Sequence, residues 1–505
     1  MKQENSFFKP KGYVHFSSKL SLSDQEWVVN YCQNPKKVRQ HSFYPFILRN
    51  IKSRRFRIEK DCYGRKDKGA KRTASVKERP ICYANHLDAA IYTYYAHKIK
   101  EKYEAYLSKK PKLNEAVIAY RSIPVAPDSK TNKSTISFVK EIVHEIRNYP
   151  LKEFAVICLD ISSFFDGLDH KILKQQWAKI MDRENGLSSD EYQVFKNVTR
   201  FSYVHYHDVF KESEHNHGAK HPNTLYFKEV DSFFSSSEDF RENIQKKKLI
   251  QRSDQRKGIP QGSPISATLA NLYMLDFDER LIDKIAWKNC LYRRYSDDLL
   301  LICPKKDIDT YIQYLKDEIR HLKLEIQDKK TQIYLFTKND DSLTLQEQKI
   351  IDGKRVTLAK KNVKLEYLGF EFDGKVMRLK SSSLSKYFRQ MKRTVRRSAF
   401  YASTTGKDNG TPYIFRKGLY RRFSYIGAKR RLIYKRKMIK EGVFNWEKTQ
   451  KMNWGNFLSY AFKAIRELDK ADSEAIRKQV RGHFKKLNER IAYYTEINDL
   501  DNYPK

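Results

Sequence analysis

Two adjacent aspartates stand inside an otherwise apolar segment of the chain, at Tyr295-Ser296-Asp297-Asp298. The flanking residues are aromatic, aliphatic and β-branched, which predicts two half-buried strands joined by a tight polar turn. Neighbouring carboxylates repel each other, and a hard divalent cation with oxygen ligands usually stabilises such a pair. A solvated turn is the alternative, because Asp and Ser are common turn residues. The segment therefore predicts a hairpin whose tip is either a cation site or an ordinary turn.

The chain of 505 residues is strongly basic, with a formal net charge of +39. The excess is spread along the sequence, so we expect a polyanionic partner, with nucleic acid favoured over an anionic membrane surface. No segment has the roughly 18 apolar residues that a membrane span requires. The N-terminus lacks the apolar core of a secretory signal. These features predict a cytoplasmic protein with no membrane partner.

The six cysteines include no C-x-x-C pair. In a chain of this length they indicate reduced thiols, and they favour neither a zinc ribbon nor a disulfide framework.

A third carboxylate follows a continuous apolar run at residues 154–159. This run predicts a buried strand that presents Asp160 at its end, before the chain turns into a helix. A charged group in that position needs a partner, which can be a metal or a set of hydrogen bonds.

A loop rich in Gly and Pro, Gly258 to Pro264, precedes a predicted helix. Glycine allows the main chain to approach a flat ligand closely. The polar region before it, at about 200–257, contains five histidines: His205, His207, His215, His217 and His221. Because their spacing does not repeat, we favour a solvated insertion over a metal site there.

Two groups of basic residues are candidates for binding a substrate or a nucleic acid. Lys77 and Arg79 precede a helix with one apolar face, and Arg121 follows a second short element. Such residues can hold a triphosphate, although surface charges are the simpler interpretation. From Ser381 the pattern predicts basic helices. Their candidate nucleic-acid contacts are Arg393, Arg397, Lys429, Arg430, Arg431, Lys435, Arg436 and Lys437.

The order of three motifs resembles the palm of reverse transcriptases over about residues 75–375. Asp160 with Phe165 resembles the first palm motif, Gly258 to Ser263 the second, and Tyr295 to Asp298 the Y-x-D-D box. The later matches are Lys330-Thr331 and the primer-grip turn Tyr367-Leu368-Gly369-Phe370. Lys77, Arg79 and Arg121 match the finger motifs less closely.

This resemblance implies an α+β right-hand polymerase with fingers, an antiparallel-sheet palm and a helical thumb with a basic C-terminal extension. The expected domains are a basic extension at 1–70, fingers at 71–150, a palm at 151–375 and a thumb with an RNA-binding region at 376–505. The polar insertion at about 200–257 lies within the palm.

The resemblance also implies an RNA-directed DNA polymerase that makes cDNA with two Mg²⁺ ions, or Mn²⁺ in their place. Asp160 and Asp297 would bridge the ions, with Asp298 in support. The implied substrate contacts are Lys77, Arg79 and Arg121 at the triphosphate, Phe165 at the sugar, Gln261 and Gly262 at the templating pair, and Lys330. The implied nucleic-acid contacts are Tyr367, Gly369 and the basic residues after Ser381.

Within the family, the chain resembles bacterial members of the group II intron and retron lineage. It shows no paired-cysteine endonuclease tail, ribonuclease H or integrase extension. The closest resemblance is to defence-associated reverse transcriptases, of the second or ninth type, which act with a non-coding RNA against phage. The implied partners are an RNA template, a dedicated non-coding RNA, dNTPs and a DNA product, and a homo-oligomer is compatible with the sequence.

Two other functions stay open. A non-catalytic, maturase-like RNA-binding protein would have a degenerate palm, whereas all three aspartates are present here. An RNA-dependent RNA polymerase shares the palm, although Phe165 and the Pro260-Gln261-Gly262 loop favour DNA synthesis.

Overall fold

The computed structural model describes residues 7–58, 72–213, 230–253, 255–286, 288–339, 342–351, 353–360, 362–429, 431–440 and 443–501. The strands in these ranges are β1 Phe46–Ile58, β2 Arg72–Tyr83, β3 Glu153–Asp160, β4 Ser202–His205, β5 Gln251–Arg252, β6 Leu291–Tyr295, β7 Asp298–Pro304, β8 Gln332–Asn339, β9 Ser342–Ile351, β10 Lys354–Thr357, β11 Leu365–Tyr367, β12 Phe370–Phe372, β13 Met377–Leu379, β14 Arg431–Lys440 and β15 Val443–Asn453.

The helices are α1 Gln25–Gln33, α2 Pro35–Arg39, α3 His86–Ser108, α4 Pro111–Ala116, α5 Thr135–Asn148, α6 Phe164–Gly167, α7 His170–Ile180, α8 Ser189–Thr199, α9 Tyr206–Glu212, α10 Ser237–Phe240, α11 Ser266–Tyr273, α12 Leu275–Ile285, α13 Ile308–His321, α14 Ser381–Tyr401, α15 Arg416–Phe423, α16 Phe457–Glu467, α17 Lys470–Val480 and α18 His483–Ile497. This mixture of helices and sheets confirms the predicted α+β class. None of the described helices has both the length and the hydropathy needed to cross a membrane.

The chain divides into two compact units. The first unit comprises Met1–Arg121, Phe154–Leu335 and Glu347–Leu358, and the second comprises Ser122–Glu153, Phe336–Gln346 and Ala359–Lys505. Two of the boundaries fall inside β8 and β9. The assignment of fingers, palm and thumb to four segments stays a prediction.

The largest sheet has six strands in the order β10-β9-β8-β3-β7-β6. Strand β3 pairs antiparallel with β7, and β7 pairs antiparallel with β6. Residues 154–157 of β3 are completely buried, as expected for a continuous apolar run in the interior of a sheet. The same core includes Tyr92, Trp177 and Phe277 from the surrounding helices. The central strand therefore carries Asp160 at its end on a rigid, buried support.

A second sheet, in the order β2-β1-β4-β5, contains a long hairpin. Strands β1 and β2 pair antiparallel from Ile47 opposite Tyr83 to Ile58 opposite Arg72. The predicted boundary at residue 70 therefore falls between the two strands of one hairpin. Its sequence lacks a clear period because residues 49–54 and 73–80 are exposed and no core face selects apolar side chains.

The region at about 200–257 is less solvated than its composition predicts. Val204, Val209, Phe233 and Phe240 form a small core together with Phe16 from near the N-terminus. His205 belongs to β4 and His207 to α9, whereas His215, His217 and His221 lie outside the described residues. The region is therefore partly a packed element, held by aromatic residues that are widely spaced in the sequence.

In the second unit, buried polar side chains join a small sheet to its helices. Asp472 of α17 is 1% exposed and accepts a hydrogen bond from the Met377 main-chain N at 2.8 Å. Arg147 of α5 forms an ion pair with the same carboxylate at 2.9 Å. Gln479 donates to and accepts from the Leu379 main chain at 3.0 Å in each case. These bonds fix α5 and α17 against β13.

The basic C-terminal region is only partly helical. Helices α14 and α15 confirm the helical pattern after Ser381, but residues 431–453 form the antiparallel hairpin β14–β15 where basic helices were predicted. Ile433, Tyr434, Trp446 and Thr449 favour strands over helices, because β-branched and aromatic side chains fit an extended chain. Charge density concealed this preference in the sequence.

Candidate active site

The hairpin β6–β7 with its turn, here called the aspartate hairpin (residues 291–304), forms as predicted. Tyr295 pairs with Asp298 across the turn, and Ser296 has a positive φ of 61°. Residues 299–304 are buried, whereas Asp297 is half-buried and Asp298 is exposed. The buried second strand therefore anchors the hairpin in the core, and the two carboxylates lie at the solvent-facing end of the sheet.

The structure brings Asp160 to this tip. Asp160 and Asp298 are directly opposite each other in the β3–β7 ladder. Directly opposed residues point to the same face, with Cβ atoms about 4.5–5.5 Å apart. The main-chain N of Ile161 also donates to the Asp297 carbonyl at 3.2 Å. The structure thus brings three aspartates from two separate parts of the sequence to the same end of the sheet.

Lys330 provides a cation beside Asp160. The main-chain N of Gln327 donates to the Asp160 carbonyl at 2.8 Å, and a short 3-10 helix, Asp328–Lys330, follows. The Lys330 Nζ then forms an ion pair with Asp160 Oδ2. The site therefore attracts positive charge, and the structure places the predicted substrate residue Lys330 within it.

Divalent metal ions fit the donor chemistry at this edge. The donors are carboxylate oxygens, and the Lys330 ammonium stands where a cation would compensate them. Burial, and then the Asp298 charge, raise the pKa of the Cys158 thiol to about 12. Within the described ranges, no three His, Cys, Asp or Glu side chains converge closely enough to hold a metal alone. Water and substrate phosphates would complete the coordination, as is usual for Mg²⁺.

The Gly258–Ser263 loop is held between two elements. The Ile259 N donates to the Phe165 carbonyl at 2.9 Å, and the Gln261 carbonyl accepts from the Cys82 N at 2.8 Å. At Gly262, φ is +109° and an added Cβ would lie 2.6 Å from the Cys82 oxygen, so only glycine fits. The loop therefore joins the end of β2 to the segment after Asp160.

Phe165 is half-buried at the start of α6 and packs against the main core. Its ring contacts that of Phe164, with centroids 5.6 Å apart. The Ile259 bond attaches the main chain of Phe165 to the Gly258–Ser263 loop.

A buried ion pair beneath the aspartate hairpin was not predicted from the sequence. Arg294 and Asp278 are both completely buried, and the guanidinium donates to the carboxylate at 2.6 and 2.9 Å. Burial alone would lower the pKa of Arg294, but the Asp278 carboxylate raises it above its ordinary value. Arg294 also donates to the Ser296 carbonyl at 3.3 Å, which fixes the turn. Side chains of β6 alternate between a buried and a more exposed face, and Arg294 falls on the buried face. This alternation is the sequence signal that could have identified Arg294 as buried.

Tyr120 contacts the same turn from another segment. Its hydroxyl lies 3.0 Å from the Ser296 Oγ, and its own φ is +61°. The segment is aligned with β6, because the Ile118 N donates to the Arg294 carbonyl at 3.1 Å and Asn271 donates to the Ala119 carbonyl at 2.8 Å. Two non-glycine residues in the left-handed region, in contact at one site, indicate a locally strained arrangement that its surroundings hold in place.

The three residues predicted to belong to the finger motifs differ in their exposure. The Arg121 guanidinium donates to Glu104, to Asn114 and to the Val117 carbonyl, and its side chain is 5% exposed. Its donors are directed inward, where Arg121 stabilises α3 and α4, and its role as a triphosphate contact stays a prediction. Lys77 and Arg79 lie on exposed positions of β2, two residues apart, and so share one face.

The second unit contains the remaining predicted contacts. Tyr367 is buried at the end of β11, and Leu368 and Gly369 form the turn to β12 with φ of 42° and 88°. Arg393 and Arg397 are exposed on α14, and Lys429 and Arg431 are exposed near the start of β14. Arg430 and the side chains of Lys435, Arg436 and Lys437 lie outside the described residues.

Comparisons with solved structures find distant likenesses. Apo telomerase from Candida tropicalis is 11% identical, with 97% of this chain and 68% of that chain covered at a TM-score of 0.37. Telomerase from Candida albicans in complex with a telomeric RNA fragment is 14% identical, with 94% and 62% covered and a TM-score of 0.35. A C. tropicalis telomerase truncated of its C-terminal domain is 13% identical, with 70% and 59% covered and a TM-score of 0.33. The chain thus spans about three fifths of the length of the latter two.

No curated protein matches the chain. A family model described as reverse transcriptase, RNA-dependent DNA polymerase, matches residues 75–372. This range is more than half of the 505 residues, and it contains all three aspartates, the Gly258–Ser263 loop and Lys330. The chain therefore belongs to the reverse transcriptase family.

Proposed function

We propose that the chain is an RNA-directed DNA polymerase, a nucleotidyltransferase that copies an RNA template into cDNA. The observation that carries the proposal is the pairing of Asp160 with Asp298 at the sheet edge, with Asp297 in the adjoining turn. A single rigid edge that carries three carboxylates suits phosphoryl transfer, in which positioning and charge neutralisation do most of the work.

Each part of the site has a role in this reaction. Two Mg²⁺ ions, or Mn²⁺, bound by the carboxylates would activate the primer 3′-hydroxyl and stabilise the leaving pyrophosphate. Asp160 and Asp297, with Asp298 in support, would hold these ions. Lys330 offsets the negative charge of Asp160 when the ions are absent.

The substrate is held by the loop and the β2 strand. Lys77 and Arg79 contact the triphosphate, because both present cations on one face of β2. Gln261 and Gly262 contact the templating pair, since glycine at 262 leaves room for close approach. Phe165 lies beside the sugar and excludes a 2′-hydroxyl, which selects dNTPs over NTPs.

The nucleic acid is bound by the second unit. In this proposal the turn at Tyr367 and Gly369 contacts the primer, and the basic residues of the C-terminal region bind RNA. These residues are Arg393, Arg397, Lys429, Arg430, Arg431, Lys435, Arg436 and Lys437. The net charge of +39 supports the binding of a polyanion such as RNA. The resemblance to defence-associated reverse transcriptases supports a dedicated non-coding RNA partner and a role in antiphage defence in the bacterial cytoplasm.

A primer-extension assay tests the polymerase. Purified protein is incubated with Mg²⁺, a primed RNA template and labelled dNTPs or NTPs. Incorporation of dNTPs alone supports the proposal, whereas incorporation of NTPs alone would assign an RNA polymerase, and no incorporation would leave an RNA-binding protein. Phe165→Val should raise the ratio of kcat/KM for NTPs to that for dNTPs, because discrimination is a difference in transition-state binding.

Sequencing of copurified RNA tests the partner. The protein is purified from its native host through a high-salt wash, which weakens phosphate contacts steeply. One dominant small RNA supports a dedicated partner, whereas a profile that mirrors total cellular RNA would contradict it.

A further inference from the structure

A cleft in the second unit lies between α14 and α15. Its volume is about 390 Å³, within the roughly 300–1,000 Å³ range of small-molecule sites. The residues that line it are polar, basic and aromatic: Gln390, Arg393, Thr394, Arg397, Ser398, Tyr401, Phe415 and Arg422.

Hydrogen bonds hold the walls of the cleft in place. The Tyr387 hydroxyl of α14 donates to the Phe423 carbonyl at 2.7 Å, which attaches the end of α15 to α14. After Tyr401 the helical path breaks at Thr404, with φ −115° and ψ −105°, and the chain turns back towards Phe415. The cleft is therefore preformed, which lowers the ordering cost of binding.

The cations of the cleft lack acidic partners. Arg393, Arg397 and Arg422 form no ion pair with any described residue, and α14 contains no Asp or Glu. In the same unit, by contrast, Arg147 pairs with Asp472, and Arg378 pairs with Asp373. Three uncompensated guanidinium groups around one cavity favour an anion, and their planar donors match phosphate oxygens.

Two aromatic side chains share the cavity with these cations. Tyr401 is 52% exposed and Phe415 is 48% exposed, although aromatic side chains of this size are usually more buried. Aromatic faces beside basic groups are the common arrangement for stacking a nucleic-acid base while holding its phosphate.

We propose that this cleft binds a single unpaired nucleotide, with its phosphate on the three guanidinium groups and its base against Tyr401 or Phe415. A free nucleoside monophosphate and an unpaired nucleotide within an RNA strand offer the same chemistry, so both sources are tested. The RNA source deepens the proposed RNA binding of the second unit and rests on it. A base-paired duplex cannot place a base in the cleft.

The test measures binding by the full-length protein at fixed salt. Fluorescence anisotropy follows a labelled unpaired RNA and a blunt RNA duplex with the same number of phosphates, both long enough for the duplex to stay paired, and AMP is added as a competitor. The cleft variant is Arg393→Gln, Arg397→Gln and Arg422→Gln combined. The matched control combines Arg389→Gln, Lys392→Gln and Arg396→Gln, which removes the same charge from exposed positions of α14 outside the cleft.

We expect the cleft variant to bind unpaired RNA more weakly than the control variant does. The two variants should bind the duplex with equally reduced affinity. A second variant combines Tyr401→Leu and Phe415→Leu and keeps every charge. Its affinity for unpaired RNA should fall by roughly 5- to 150-fold, which corresponds to the loss of one stacked base. Competition by AMP supports the free nucleotide as a source, and binding of RNA without such competition supports the RNA source. Circular dichroism checks that each variant is folded.

Equal loss in the cleft and control variants, together with no effect of the aromatic changes, would overturn the proposal and leave a general electrostatic surface. Because this assay contains no dNTPs, its result is independent of polymerase activity. Failure of primer extension by the wild type would remove the proposed function and leave the cleft result intact.

Discussion

Two hairpins in this chain differ in what holds them. The aspartate hairpin has strands of 5 and 7 residues inside a six-stranded sheet, and most of its second strand is buried. The hairpin β14–β15, here called the exposed hairpin (residues 431–453), has strands of 10 and 11 residues that pair only with each other. Its Tyr434 and Trp446 are 53% and 65% exposed. Length therefore does not determine rigidity here, because the shorter hairpin is fixed by its neighbours and isolated two-stranded hairpins are marginal.

The largest expected difference between the hairpins is catalytic. Asp297→Asn keeps the size of the side chain and removes one charge from the proposed metal site, so dNTP incorporation should fall by about 10²-fold or more. Glu447→Gln removes a carboxylate from the exposed hairpin and should leave the chemical step unchanged. Primer extension across a Mg²⁺ titration measures both, and near-normal incorporation by a folded Asp297→Asn protein would remove Asp297 from the site.

The next difference concerns stability. Arg294→Met leaves Asp278 as a buried charge without its partner, which should lower the free energy of unfolding by about 3–5 kcal/mol. The same substitution at Arg431, which is exposed, should change it by no more than about 0.5 kcal/mol. Urea denaturation followed by circular dichroism compares the two, and equal effects would mean that burial does not distinguish the hairpins.

A smaller difference separates the loop beside the aspartate hairpin from an open turn. Gly262 and Gly410 both have positive φ, but an added Cβ at Gly410 meets nothing within 4 Å. Gly410→Ala should therefore lower the free energy of unfolding by about 1–2 kcal/mol, through backbone strain alone. Gly262→Ala should cost about 1–3 kcal/mol more, because its Cβ would overlap the Cys82 carbonyl. Denaturation midpoints in the reverse order would contradict the close approach of this loop to β2.

The smallest expected effect comes from single hydroxyl groups. Tyr120→Phe removes the hydroxyl contact with Ser296 at the tip, which should lower the free energy of unfolding by about 0.5–1.5 kcal/mol. The same change should lower kcat more than it raises KM. Tyr434→Phe in the exposed hairpin is the matched change and should leave kcat unaltered. Steady-state kinetics with saturating template measures the two variants, and a pure KM effect at Tyr120 would assign it to substrate binding instead.

Burial explains which parts of the fold the sequence predicted. β3 and the aspartate hairpin were predicted because a continuous apolar run and alternating strands leave a strong pattern around their aspartates. The exposed hairpin was missed because no core face selects its side chains, so only weak strand preferences remained beneath the charge. The small core around Phe233 was missed because its members are too far apart in sequence to form a period.

Site residues follow a similar rule. Asp160 and the aspartate hairpin meet as predicted, because strand ends at one sheet edge converge wherever the strands pair. At Arg121 the sequence shows a basic residue but not the Glu104 carboxylate that pairs with it. Arg294 was overlooked because a buried guanidinium is recognisable only once Asp278, from helix α12, is found beside it. Long-range pairing of opposite charges leaves no local signal.

The anchoring of the β1–β2 hairpin has a mechanical consequence. One end of this hairpin is fixed, by the bond from Cys82 to the loop at Gln261 and by the pairing of residues 46–48 with β4. Beyond this fixed end the described parts of β1 and β2 pair only with each other, so the hairpin is held at one end. At about 3.4 Å per residue, Lys77 lies roughly 17 Å from the fixed end. Thermal bending therefore displaces Lys77 more than Arg79, and a small rotation of the Gly258–Ser263 loop moves both cations through an arc.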